Sequence, residues 1–209
     1  MTDGAEPESI PTQKKVLRDT LRTARSTYVA NHRTELTEAA AKNAERLAWW
    51  AMVRGAGVAA AYASTPEEPT TDGLLDALKA SSIRVLLPVM KPAGLMEWSP
   101  FSGVEGLVLN ERGIREPRGP VYAAEAIAGA DLLIVPALAV TRDGVRLGQG
   151  AGYYDRVLAH VRTDVPIIAM VYDTEVLDPG TIPEQEHDVR VTHICTPLAG
   201  LRAVKAQPN

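Results

Sequence analysis

Residues 132–171, LLIVPALAVTRDGVRLGQGAGYYDRVLAHVRTDVPIIAMV, carry the pattern that decides the fold. Leu132 to Val135 and Ile167 to Val171 are short, unbroken apolar runs, the composition of strands buried on both faces. Between them Tyr154 to Val161 reads as a helix, and a glycine-rich connection precedes it. Strands alternating with helices in this way build a layered α/β fold on a largely parallel sheet.

The same rhythm continues outward. Val58 to Ala63, Ile83 to Val89 and Val191 to Cys195 read as further strands, Asp72 to Ala80 as a helix, and Ala123 to Gly129 as a shorter helical turn. Leu95 to Trp98 reads as an additional strand or edge segment. Upstream, Val16, Leu17, Leu21, Ala24 and Tyr28 recur at helical spacing as far as Asn31, and Thr34 to Val53 is a second pattern rich in Ala, Leu and Trp. Two helices are therefore expected to open the fold. Residues 1–11 are too polar and Pro-containing to pack and are expected to form a flexible lead-in, with 205–209 as a flexible tail. No repeat or linker divides 12–204. The expectation is α/β: a single layered domain with a mostly parallel central sheet flanked by helices.

With 209 residues, 45% of them hydrophobic, such a domain can bury most of its apolar surface. The 22 basic and 26 acidic residues nearly cancel, so no global positive field draws the chain to nucleic acid or to an anionic membrane, and a small-molecule partner is favoured. Cys195 is the sole cysteine, which excludes an intrachain disulfide and a cysteine-based zinc framework and suits a reducing compartment. No run of about 18 apolar residues could span a bilayer and the first residues lack an apolar signal core, so a cytoplasmic protein is expected.

The strongest chemical signal is Arg146-Leu147-Gly148-Gln149-Gly150-Ala151-Gly152-Tyr153-Tyr154-Asp155. Gly148, Gly150 and Gly152 allow positive φ and close backbone approach, so successive amides can converge on one anion, and the helix that follows adds the positive end of its dipole. Arg146 can fork onto phosphate oxygens. A tight strand-to-helix connection that binds nothing is the plain alternative, but such a loop has no need of Arg146 on one side and Tyr153, Tyr154 and Asp155 on the other. The P-loop signature is missing, and glycines spaced by two throughout do not match the dinucleotide fingerprint.

Two weaker signals accompany it. Lys14, Arg18, Arg22 and Arg25 fall three or four apart and share one helical face, either a solvated stripe or, if that end of the helix packs near the glycine loop, a counter-charge for a triphosphate. Glu68 follows the strand ending at Ala63, where open α/β sheets bind ligands. Asp155 and Asp188 are the other acidic candidates, of the hard oxygen type that Mg²⁺ accepts beside phosphate, and each is otherwise a surface charge or cap. His32, His160, His187 and His193 have no metal-ligand spacing, and Cys195 reads as a packing residue.

The chain resembles the 5-formyltetrahydrofolate cyclo-ligases, also called methenyltetrahydrofolate synthetases. The resemblance runs over nearly all of it after the first dozen residues. Its most specific part is Pro136-Ala137-Leu138-Ala139 followed by Gly144 through Arg156. It is supported by Lys14-Lys15-Val16-Leu17-Arg18, Tyr62-Ala63-Ser64 with Glu68 and Thr71, Gly113 to Pro117, and His187-Asp188 leading to Thr196-Pro197.

What this resemblance implies can be taken residue by residue. Lys14, Lys15 and Arg18, together with Arg146, Leu147, Gly148, Gln149, Gly150, Ala151, Gly152 and Tyr154, correspond to positions that hold ATP. Glu68, Ser64, Tyr153 and Trp98 correspond to the folate pocket, and Asp155 and Asp188 to acids associated with Mg²⁺. Arg146, Lys14 and Tyr153 would act in catalysis. Departures are Val140-Thr141, where the family often has Phe-Asp, and Ala151, where it often has Gly or Lys.

The implied reaction is ATP-dependent cyclisation of 5-formyltetrahydrofolate to 5,10-methenyltetrahydrofolate, through a phosphorylated formyl group; the default expectation for the chain itself is a monomer. The competing readings are a non-catalytic relative that binds folate or nucleotide, and a dinucleotide-dependent oxidoreductase.

Overall fold

A computed structural model of the protein describes residues 9–204 apart from 159 and 187. Residues 1–8 of the expected lead-in, the expected tail at 205–209, and His187 lie outside the described residues.

Where two helices were expected, α1 (Ile10–Val53) is one helix of 44 residues. Asn31, His32 and Arg33 break the apolar spacing, but none is Gly or Pro, so the backbone ladder continues and these residues form only an exposed stretch of it. Val29 and Leu36 on either side of the break are both buried with Tyr172. The helix starts at Ile10 rather than Thr12, because Pro11 falls in its first turn, where a missing N–H costs nothing. At about 1.5 Å per residue α1 is roughly 66 Å long, so its two ends serve different parts of the molecule. No helix among the described residues, α1 included, is long and apolar enough to cross a membrane.

The chain then runs through β1 (Val58–Ala60), α2 (Asp72–Ala80), β2 (Arg84–Met90), β3 (Met96–Pro100), β4 (Leu107–Leu109), β5 (Arg115–Pro117) and a 3₁₀ turn at Ala124–Gly129. It continues through β6 (Leu132–Pro136), β7 (Ala139–Thr141), β8 (Arg146–Leu147), α3 (Tyr153–Leu158), β9 (Ile167–Met170), β10 (Val176–Leu177), β11 (His193–Thr196) and β12 (Gly200–Ala203). Seven strands form the main sheet in the order β12-β11-β9-β6-β1-β2-β3. Its five inner strands are parallel, and the edge strands β3 and β12 are antiparallel.

The segment expected at Leu95 to Trp98 is thus the edge strand β3, shifted to Met96–Pro100. Helix α3 begins at Tyr153 and ends at Leu158, short of Val161.

Both faces of the sheet are covered, which is why its strands read as unbroken apolar runs. On one face, Leu47, Ala48 and Ala51 of α1 and Leu74, Leu75 and Leu78 of α2 pack on Ala59, Val85, Leu87, Leu132 and Ile134. On the other, Ile127, Val157 and Leu158 pack on Leu133, Val135, Ile167 and Ala169. Each fully buried Leu or Ile contributes about 2 kcal/mol. The result is the expected α/β architecture of a mostly parallel sheet between helices.

The topology positions a cleft. From β1 the chain passes to β2 on one side, and later returns to β6 on the other, so the connections leaving β1 and β6 diverge at their carboxyl ends. That divergence is where open α/β sheets hold ligands. Beside it β10, β7 and β8 form a small three-stranded sheet. Leu17 and Leu21 of α1 pack on its Ala139 and Leu147 and on Val145 just before β8, so the N-terminal third of α1 lies against the strands that carry the glycine loop.

Candidate active site

Strand β8 delivers Arg146 and Leu147, the glycine loop follows, and α3 starts at Tyr153. A cleft of about 480 Å³ opens over this loop. Gly150 lies at φ +101° and Gly152 at φ +67°, so two of the three glycines take the left-handed conformation anticipated for all of them. Gly148 has no positive φ, and a Cβ there would come within 2.8 Å of an Arg146 guanidinium nitrogen, so any larger residue would have to displace that side chain. Because α3 has only six residues, its dipole adds less than a longer helix would.

The basic stripe of α1 turns out to be the face that meets the loop. Arg18 Nε donates to the Gly148 carbonyl at 2.9 Å, and Arg22 Nη2 donates to that of Gln149 at 2.8 Å. Lys14 is buried and its Nζ lies 2.5 Å from Asp188 Oδ2, which also accepts from the Gln185 amide at 2.8 Å. Burial and the charge of Arg22 lower the Arg18 pKa, while Asp155 and Asp188 pull it the other way, so the two acids and Arg18 share one neighbourhood.

Arg146 is buried and bonds to the carboxylate of Asp155 and, at 3.3 Å, to the Pro136 carbonyl. Its Nε has no partner among the described residues.

At the other end of the cleft, Glu68 Oε2 accepts from the Thr65 amide at 2.9 Å and from Thr65 Oγ1 at 3.1 Å. One carboxylate oxygen is therefore fixed by the loop after β1, and among the described residues the other accepts no hydrogen bond. The phenols of Tyr62 and Tyr154 stand near it. Burial and the charge of Glu68 push both upward, so both remain neutral at physiological pH. The apolar wall is made by Pro88 and Met90 of β2 and Met96 of β3.

Of the site residues expected from sequence, Lys14, Arg18, Glu68, Arg146 through Asp155, and Asp188 all line this cleft. Three do not. Trp98 is 1% exposed and packs in the same core cluster as Met96: the two share a face of β3, but Trp98 lies two residues further along the strand, bridged to Tyr122, beyond the end of the cleft that Met96 lines. Ser64 is buried, its hydroxyl accepts from the Thr71 amide at 3.1 Å, and it lines a neighbouring hollow of about 540 Å³ that shares Thr65, Glu68 and Arg115 with the cleft. Lys15 is exposed and pairs with Asp19 at 3.1 Å on the outer side of α1.

Sequence reasoning missed Tyr62, Met90, Met96 and Arg112. Tyr62 and Met90 lie at or just beyond the carboxyl ends of β1 and β2, the positions to which strand order points once it is known. Cys195 is buried in β11 and its thiol is pushed up to about 12 by burial, consistent with packing rather than nucleophilic chemistry.

Asp155 and Asp188 supply hard oxygens on the loop side of the cleft, the donor type that Mg²⁺ takes together with water and phosphate. Among the described residues no group of three or more His, Cys, Asp and Glu converges, so these residues do not form a dedicated all-protein metal cage.

The chain that builds this cleft is similar to known proteins. The model of the 5-formyltetrahydrofolate cyclo-ligase family matches residues 10–197. The 5-formyltetrahydrofolate cyclo-ligase of Mycolicibacterium smegmatis is 45% identical over 150 residues, covering 69% of this chain and 76% of that protein. The enzyme of the same name from Escherichia coli K12 is 30% identical over 159 residues, covering 74% and 85%. The fold matches the solved structure of Aquifex aeolicus 5,10-methenyltetrahydrofolate synthetase with a TM-score of 0.73 at 23% identity, over 94% of this chain and 95% of that one. A match that runs through α1, the loop after β1 and the glycine loop alike covers every element that builds the cleft, and the chain belongs to the 5-formyltetrahydrofolate cyclo-ligase family.

Proposed function

We propose that the protein cyclises 5-formyltetrahydrofolate to 5,10-methenyltetrahydrofolate while converting ATP to ADP and phosphate, as a monomer in the cytoplasm. The observation that carries this reading is the meeting in one cleft of a cationic glycine loop and a half-satisfied carboxylate. Arg18, Arg146 and the loop amides suit phosphate oxygens, and Glu68 suits the amino and ring N–H groups of a pterin.

The formyl group on N5 is a poor electrophile because the nitrogen lone pair feeds into its carbonyl. In the proposed sequence the formyl oxygen attacks the γ-phosphorus and ADP departs, which turns that oxygen into a phosphate leaving group. N10 then closes onto the formyl carbon and loses its proton. Cleavage of the carbon–oxygen bond releases inorganic phosphate and leaves the methenyl bridge.

No side-chain nucleophile is needed. The protein's part is to align the reactants and neutralise charge. Lys14 and Arg146 are each held by a carboxylate, Asp188 and Asp155, so the cations stand ordered before nucleotide arrives. Mg²⁺, when bound, would be held by Asp155 and Asp188 and would offset negative charge on the phosphates. Glu68 fixes the pterin end, and the methionine wall excludes water from it.

The test mixes purified protein, 5-formyltetrahydrofolate and Mg-ATP and follows the near-ultraviolet absorbance of the methenyl product, with ATP or magnesium omitted in controls. Product in the complete mixture alone supports the cyclo-ligase reading. Binding of both ligands without product would identify a non-catalytic relative, and NAD(P) binding in place of ATP would redirect the reading to an oxidoreductase.

A further inference from the structure

Strands β4 and β5 form a hairpin whose turn is tightly held. Asn110 Oδ1 accepts from the amides of Arg112 and Ile114 at 2.9 and 3.0 Å, and the Asn110 amide donates to the Ile114 carbonyl at 2.9 Å. The hairpin is also tied to the body of the protein. Glu116 Oε1 accepts from the Met90 amide of β2 at 2.8 Å, and Arg115 pairs with Asp72 of α2 at 2.7 Å. Arg112, at the turn, is exposed yet lines the cleft, and its Nη1 donates to the Tyr153 phenol at 2.6 Å.

The cations of the cleft are not alike. Lys14, Arg115 and Arg146 each have a carboxylate partner. Among the described residues no carboxylate lies within 4 Å of the Arg18 or Arg112 guanidinium. Arg18 faces the glycine loop, whose amides suit phosphate. Arg112 stands apart on the hairpin, at the exposed rim, with one of its five N–H donors engaged by the Tyr153 phenol.

A reduced folate has a planar pterin at one end and a glutamate with two carboxylates at the other. With the pterin at Glu68, the charged tail is most stable at the mouth of the cleft, where water still reaches it. A guanidinium fork held there by a fixed hairpin suits a carboxylate in geometry and charge. We propose, on the basis of the folate reading above, that Arg112 is a specificity-determining residue that grips a carboxylate of the substrate's glutamate tail. Tyr153 holds the guanidinium in place from below.

The experiment is a ligand-by-variant cycle read by calorimetry on the full chain. The ligands are 5-formyltetrahydrofolate and an analogue that keeps N10 and the aminobenzoyl ring but ends in a neutral amide. The wild-type protein should prefer the natural ligand, and Arg112→Ala should lose about two- to tenfold in affinity for it while binding the amide unchanged. Arg112→Lys should recover part of the preference, and ATP affinity should not move in either variant. Equal loss on both ligands, or no loss on the natural one, overturns the assignment. Because the readout is binding, a protein that discriminates through Arg112 but forms no methenyl product would refute the cyclo-ligase reaction and leave the tail contact standing.

Discussion

Arg25 and Glu175 form a two-pronged ion pair behind the cleft, with Nε 2.5 Å from Oε1 and Nη2 2.7 Å from Oε2, and both side chains are almost wholly buried. Arg25 Nη2 also donates to the Ala137 carbonyl at 2.8 Å, just beyond β6, and Glu175 Oε2 accepts from the Tyr172 amide at 2.7 Å. Burial, the largest influence on Arg25, works against its charge, but the hydrogen bond and charge of Glu175 outweigh it and the proton is held more firmly than usual. One pair thus pins α1 to the ends of two sheet strands and sets where Lys14 and Arg18, two to three turns earlier, meet the glycine loop.

Removing one partner strands the other as a buried charge. Glu175→Gln and Arg25→Leu alone are each expected to destabilise the fold by about 3 kcal/mol, and the double variant Arg25→Leu with Glu175→Leu by less than either, because no charge is then left unpaired. Denaturant midpoints of the three variants check this. A double variant no more stable than the singles would mean that the pair's contribution is attraction rather than avoided desolvation.

Arg146 is held by β8 pairing with β7 through backbone bonds that its side chain does not supply. Arg146→Ala should therefore fold with unchanged circular dichroism and lose about a hundredfold or more in kcat/KM for ATP, the scale for deleting a charged group that acts on a transferring phosphate. Arg146→Lys should recover little, since an ammonium cannot reproduce the fork. A folded Arg146→Ala protein with unaltered turnover would take Arg146 out of the reaction.

Glu68 is tied to Thr65 through one oxygen. Glu68→Gln keeps an acceptor there but removes the charge, so folate affinity should fall by about tenfold or more while ATP affinity changes little. Calorimetric titration of each ligand separates the two. Matching losses for folate and ATP would show that Glu68 supports the loop generally instead of contacting the pterin.

His193 lies against Trp50, ring centroids 5.1 Å apart, and burial, together with the charge of Arg54, lowers its pKa below 6.5. The unfolded chain then binds the proton more readily than the folded one, so stability rises with pH through the window just below the unfolded pKa of about 6.5. Thermal midpoints should fall as pH drops from 7 toward 5, and His193→Gln should flatten that slope. An identical slope in the variant would assign the pH dependence to other groups.

The main sheet was readable because its strands are covered on both faces and so appear as unbroken apolar runs, as Leu132 to Val135 and Ile167 to Val171 do. The short strands β7, β8 and β10 span only two or three residues each, too few for any period to register, and they escaped notice. The single helix α1 was misread as two because a surface stretch interrupts the apolar pattern as a loop does, although no Gly or Pro lies there to break the ladder.

The glycine loop with Arg146, and the acids Asp155, Asp188 and Glu68, could be named from sequence because their chemistry lies in residue type and local spacing. Tertiary structure alone decided which groups share the cleft. Lys14 meets Asp188 across 174 positions of sequence, and Arg112 meets Tyr153 across 41. Trp98 and Met96 share one face of β3, yet only Met96 reaches the cleft, because position along the strand relative to the cleft is set by how the sheet is assembled. Local sequence specifies what a residue can do; strand order and the docking of α1 on β7 and β8 specify what it does it to.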